Sequence, residues 1–228
     1  MTRLHLGDDV DRRSLTVSLT ALVCLWAAYF GVEWAPDSFT RLAEMCWWAG
    51  TQIVFYLVVP LLVMTMVGVR PAELGWRIRG TSSHWKVYLA IFSVAVPFVV
   101  IASFSSEFQD RYPLYEIYRG QSHVWRDLSI WWPFYVVQFV AIESFFRGFL
   151  VLGLGKRIGA NAVLVATIPY LMIHLVKPPV EAAASIVGGL VMGTLAWRTK
   201  SIWWGVAVHV AVASVMDLMS LGHKGFLW

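Results

Sequence analysis

The sequence predicts an all-α protein: a polytopic transmembrane helix bundle of about seven spans. Three observations carry that expectation. Of 228 residues, 58% are hydrophobic and only 14% are charged, whereas soluble domains average about 45–50% apolar and ~25% charged. Mean hydropathy is +0.64. The apolar residues also gather into runs close to the ~20 residues that cross a bilayer core, without the alternation of a membrane β-barrel.

Seven runs stand out, at 14–34, 45–69, 86–105, 129–153, 161–177, 180–197 and 201–221. The polar segment 1–13 precedes the first and reads as a cytoplasmic N-terminal segment. No small-residue cleavage site follows, so the first run is expected to be an uncleaved signal anchor. Residues 14–128 hold the N-terminal spans and a long loop at about 106–128. Residues 129–221 form a helix core, and 222–228 a C-terminal tail. Pro60, Pro97, Pro133 and Pro169 fall inside runs, where each removes a backbone hydrogen bond and kinks its helix. Pro178 and Pro179 close the fifth run and open the sixth, where a proline at the first helical position is tolerated. Trp34, Trp47, Trp48, Trp131, Trp132, Trp203 and Trp204 stand at predicted ends, as interfacial aromatics do.

The net charge of +4 contains no basic run of five residues and reads as membrane loops, not nucleic-acid binding. Arg3, Arg12, Arg13, Arg70, Arg77, Arg79, Lys86, Lys156, Arg157, Arg198 and Lys200 fall on one side of a seven-span arrangement. Arg41, Arg111, Arg119, Arg126, Lys177 and Lys224 fall on the other. The bias places the N-terminus inside. Cys24 and Cys46 belong to apolar segments, which points away from a disulfide framework or a thiolate metal site.

Chemistry centres on Glu143 and Arg147, in the run Phe139-Val-Ala-Ile-Glu-Ser-Phe-Phe-Arg-Gly-Phe-Leu150. At i and i+4 they share one helix face. Each costs a few kcal/mol in hydrocarbon, so both are expected to face a protein interior or a watery cavity and to mark a functional site. A buried ion pair that only fixes packing is the structural alternative. His174 follows Pro169-Tyr-Leu-Met-Ile, with Tyr170 at i−4 on its face and placed to contact the ring or a substrate. His209 follows Gly205-Val-Ala-Val. Either histidine alone reads as a core residue satisfied by a carbonyl. Two of them with a buried Glu on a third helix are the groups that activate water, as general bases or as metal ligands. Glu143, His174 and His209 would suit a divalent metal such as zinc with one open position, but no His-Glu-x-x-His run is present. Glu181 is expected to complement a helix N-terminus, and Asp217 to lie near the outer interface. Ser185, Gly189 and Gly193 form a small-residue stripe for close helix packing.

These motifs resemble the CPBP family, the intramembrane proteases related to type II CAAX prenyl endopeptidases and to Abi proteins. The family's Glu-Glu-x-x-x-Arg reads here Ile142-Glu143-Ser144-Phe145-Phe146-Arg147. Its Phe-x-x-x-His reads Tyr170-x-x-x-His174, and its His-x-x-x-Asn reads His209-x-x-x-Ala213. The stretch His174-Leu-Val-Lys-Pro178 resembles bacterial members. The resemblance implies hydrolysis of a peptide bond in a membrane-associated protein or peptide, in the bilayer of a bacterial cytoplasmic membrane. In that scheme Glu143 and His174 activate water, His209 stabilises the oxyanion, Arg147 orients Glu143 and Tyr170 contacts substrate. A metal is permitted but not required. Two departures matter: Ile142 replaces the first Glu, and Ala213 replaces the polar residue after His209. They leave open a non-catalytic CPBP-like scaffold or binding protein. A proton-coupled carrier using Glu143 and the two histidines is a third reading, although inverted repeats are not evident.

Overall fold

The structure, a computed structural model, describes residues 11–78, 80–117 and 121–227. Expectations for residues 1–10, Arg79 and Arg119 lie outside the described residues. Within these, eight helices and no strand are present. They are α1 (Arg12–Phe30), α2 (Arg41–Met66), α3 (Trp85–Ala102), the short α4 (Ser106–Arg111), α5 (Val124–Ile158), α6 (Asn161–Met172), α7 (Pro179–Thr199) and α8 (Trp203–His223). Polar caps fix several starts by satisfying free N–H groups. The Asp11 carboxylate accepts from Ser14 N at 3.0 Å, Thr40 Oγ1 from Ala43 N at 3.4 Å and Ser105 Oγ from Phe108 N at 3.3 Å. Pro179 opens α7, as its sequence position predicts.

The protein is an integral membrane protein: six of the helices are long and apolar enough to span. The fifth run is shorter than expected. Helix α6 stops at Met172 and the chain turns through residues 173–177, so His174 sits just past a helix end and not within a span. The long loop is also shorter than the expected 106–128, because α4 takes its start and α5 begins at Val124.

Helix α5 is the axis and is largely buried. Its first half packs on α2 and α8, its second half on α6 and α7, and its last turn on α1. Helix α3 rides on α8 at the periphery. Exposed Leu22, Trp26, Phe98, Ile101, Ile168 and Val187 belong to the lipid-facing surface. Trp131 is not the interfacial residue its position implies. It is 1% exposed and packs in the core against Trp48 and Tyr135, with ring centroids 6.1 and 5.2 Å away.

Two segments are wound as π-helix, Val54–Val58 in α2 and Ser144–Leu152 in α5. They face each other, with Tyr56 4.7 Å from Phe145 and 5.9 Å from Phe146. Such segments recur at functional sites, and the second begins one residue after Glu143. Glycines admit close neighbours here. A Cβ on Gly148 would lie 2.5 Å from the Leu74 carbonyl oxygen, and one on Gly189 2.8 Å from Thr167 Cγ2. The small-residue stripe therefore packs α7 on α6, as expected.

The two ends of the bundle differ. At one end Glu73 gathers Arg13, Arg70 and Lys156. The Lys156 ammonium and the Arg70 N–H hold its carboxyl down at about 2. Arg13 Nε also donates to Gly153 O (3.2 Å), Ser201 Oγ to Arg77 O (3.0 Å) and Trp204 Nε1 to Thr81 O (2.8 Å). At the opposite end, the segment after α4 is built into the bundle: Tyr112, Tyr115 and Ile117 are each at most 2% exposed.

Candidate active site

The site grows from the middle of α5. Glu143 ends the regular part of that helix and is 1% exposed; Arg147, one turn on in the π segment, is 2% exposed. Arg147 Nη1 lies 3.3 Å from Glu143 Oε1. His209 reaches in from α8, and its Nδ1 is 3.0 Å from the same oxygen. One carboxylate oxygen thus takes both partners. The other, Oε2, is buried without a hydrogen-bond partner, as is Arg147 Nη1 in hydrogen-bonding geometry.

Tyr170 of α6 and His174 of the turn after it complete the group. The Arg147 guanidinium stacks over the Tyr170 ring, 4.1 Å from its centroid, and that ring lies 4.5 Å from His174. The sequence placed Tyr170 beside His174 for its side chain. The contact that matters to the imidazole is instead backbone: His174 Nδ1 is 2.8 Å from the Tyr170 carbonyl oxygen. That oxygen can only accept, so Nδ1 carries the proton and Nε2 is the free nitrogen. The Glu143 carboxylate imposes the same tautomer on His209. Phe139, one turn before Glu143, packs on the His209 ring at 4.5 Å. All five predicted residues are brought into one connected cluster.

A small cleft borders the cluster, lined by Arg147, Tyr170, Thr167, Gly189 and Gly193 among others, with room of about 10 Å³, roughly one water. A metal is a different matter. Among the described residues, no group of three His, Cys, Asp or Glu is arranged to hold one. His209 Nδ1 is engaged by Glu143 and His174 Nδ1 by a carbonyl, so the Nε2 atoms are the nitrogens a metal would take, as in metal sites whose histidines are oriented through the other ring nitrogen.

Two secondary expectations change. Glu181 does more than complement a helix start: it accepts from Lys177 Nζ at 2.6 Å and from Tyr112 Oη at 2.7 Å. Asp217 is not a freely solvated interfacial residue, since its Oδ1 accepts from Leu114 N at 3.1 Å. One residue of the site escaped the sequence reading. A Cβ on Gly205 would stand 2.6 Å from Glu143 Oε2 and 3.3 Å from Met192 Cε. Its signal was present, because Gly205 precedes His209 by four residues on the same face. Gly205→Ala is expected to push the carboxylate off its position and lower any activity of this site about 10²-fold, the effect of a 1 Å misplacement; an activity assay on purified protein with a preserved melting temperature checks it.

Residues 124–215 match the family model for type II CAAX prenyl endopeptidase Rce1-like proteins. This region is similar to the Rce1-like family over less than half of the chain. The match spans α5 to most of α8 and contains Glu143, Arg147, Tyr170, His174 and His209. Neither a curated protein nor a solved structure matches the chain. Within the matched region, Ile142 and Ala213 are each 5% exposed, so the two departing positions contribute packed apolar side chains.

Proposed function

We propose that this Rce1-like protein is an intramembrane endopeptidase whose general base is His209, held by Glu143. The observation that carries the reading is the bond from His209 Nδ1 to Glu143 Oε1. A carboxylate on Nδ1 with Nε2 free is the arrangement that makes an imidazole a proton acceptor in hydrolases. Nε2 takes a proton from water as the water oxygen attacks the scissile carbonyl carbon. The resulting imidazolium, stabilised by Glu143, gives that proton to the departing amine as the C–N bond breaks. The Arg147 guanidinium, whose Nη1 lies 3.3 Å from Glu143 Oε1 outside hydrogen-bonding geometry, serves the oxyanion. Free Nε2 of His174 orients the water. Glu143 is thereby an orienting group, which accommodates Ile142 in place of the first family Glu.

The substrate is a membrane-associated protein or peptide. The N-terminus is inside, because its end carries Arg12, Arg13, Arg70, Arg77, Lys86, Lys156, Arg157, Arg198 and Lys200 against Arg41, Arg111, Arg126, Lys177 and Lys224 at the other, the Lys and Arg bias of the positive-inside rule. A bacterial cytoplasmic membrane suits this orientation.

A second reading has its own observation. With Ile142 and Ala213 buried and apolar, the pocket is poorer in polar groups than the family pattern, which favours a non-catalytic membrane binding protein. A survey of protein termini in membranes of cells carrying wild type or Glu143→Ala separates the two. Termini found only with wild type, at matched expression, name the substrate; matching profiles select the binding protein.

A further inference from the structure

Helices α7 and α8 are consecutive and antiparallel, yet they do not pack along their lengths. Helix α7 leans on α6 and the π segment, α8 on α3 and the first half of α5. The Met192 side chain of α7 meets Gly205 near the start of α8, and toward the other end Tyr112 is bonded to both helices. One wall of the resulting groove is a single face of α8, on which Gly205, His209, Ala213 and Asp217 follow at intervals of four. Its floor is α5 around Phe139 and Glu143.

The far end of this groove is occupied by the chain itself. Tyr112 Oη donates to Glu181 of α7 at 2.7 Å, Ser220 Oγ of α8 donates to the Tyr112 carbonyl, and Leu114 N donates to Asp217 of α8 at 3.1 Å. The segment is non-helical, and Tyr112 is 1% exposed. Two main-chain bonds and one phenol bond hold this peptide segment between α7 and α8. Asp217 stands about 12 Å above His209 along α8, eight residues at 1.5 Å. Glu181 is bonded to Lys177, three residues from His174.

We infer that the α7–α8 groove is a binding site for an extended peptide, and that Tyr112–Leu114 is an internal plug in it, displaced when substrate enters. This rests on the endopeptidase reading for the identity of the occupant. The groups that grip the plug (a carboxylate for an N–H, a hydroxyl for a carbonyl, a carboxylate for a phenol) would grip a substrate strand bearing an aromatic side chain. Main-chain pairing supplies affinity and the side-chain pocket supplies selectivity.

The test uses full-length protein in lipid nanodiscs, with Cys24 and Cys46 changed to Ser and Ala213→Cys as a reporter on the groove wall. A water-soluble maleimide is expected to label this position slowly, and at least about tenfold faster when Tyr112→Ala releases the plug. The acetylated tetrapeptide amide Tyr-Pro-Leu-Tyr, copying residues 112–115, is expected to slow labelling again. Equal labelling with and without Tyr112, or no protection by the peptide, overturns the inference. Should Tyr112→Ala fail to fold, a Leu114→Cys/Asp217→Cys pair in the Cys-free background locks the plug by a disulfide. Cleavage is then expected to stop on oxidation and return on reduction, and cleavage at full rate while locked also overturns it. If labelling and protection behave as expected but no variant cleaves any peptide, the groove stands and the endopeptidase reading falls.

Discussion

His209→Gln is expected to lower turnover about 10²–10⁴-fold, the contribution of a positioned general base, while the melting temperature in detergent stays close to wild type. Glutamine carries an amide N–H that can still donate to Glu143 Oε1, so the bond seen at 3.0 Å has a replacement and the carboxylate keeps a partner. What disappears is the basic Nε2. The variant therefore separates orientation from proton transfer. Because the substrate contacts are untouched, the loss should fall on kcat and leave KM nearly unchanged. A retained kcat would show that the proton acceptor lies elsewhere, and the free Oε2 of Glu143 would be the next candidate.

Breaking the Glu143–Arg147 pair from one side is expected to cost the protein about 3–5 kcal/mol, the range for stranding one buried charge. Both side chains are at most 3% exposed and their charged atoms are 3.3 Å apart, so water cannot replace the missing partner. Arg147→Met leaves the Glu143 carboxylate with His209 alone. Glu143→Gln leaves the guanidinium with the Tyr170 ring, which is 4.1 Å away, as its main neighbour. The double variant Glu143→Gln/Arg147→Met strands no charge and is expected to recover most of the lost stability, since a buried pair replaced by neutral groups of similar volume is often close to neutral. It should nevertheless be inactive. Thermal unfolding of the four proteins in one detergent gives the coupling, and additive losses would place the charges in contact with water.

Much of this arrangement was legible from local spacing. Glu143 and Arg147 are four residues apart on one helix, so their pairing needed no tertiary information. His174 and His209 stood out because ionisable groups are scarce in apolar runs. What escaped were relations across long sequence distance. Nothing local says that His209 meets Glu143 through Nδ1, or that Gly205 leaves space beside Oε2. Nor does hydropathy distinguish Trp131 in the core from Trp132 at the surface. The seventeen-residue run at 161–177 likewise conceals the end of α6 at Met172, because turn residues Ile173, Leu175 and Val176 are as apolar as the helix before them.

By itself, the sequence determined that this protein is a membrane helix bundle and which polar side chains lie within it, because transfer of each side chain into hydrocarbon is a property of composition and run length. Only the tertiary structure decided which atoms of those side chains meet. The π-helical winding of 144–152, the shared Oε1, the free Nε2 atoms and the segment lodged between α7 and α8 all depend on packing of helices distant in sequence, and no periodicity along one chain encodes the distance between two.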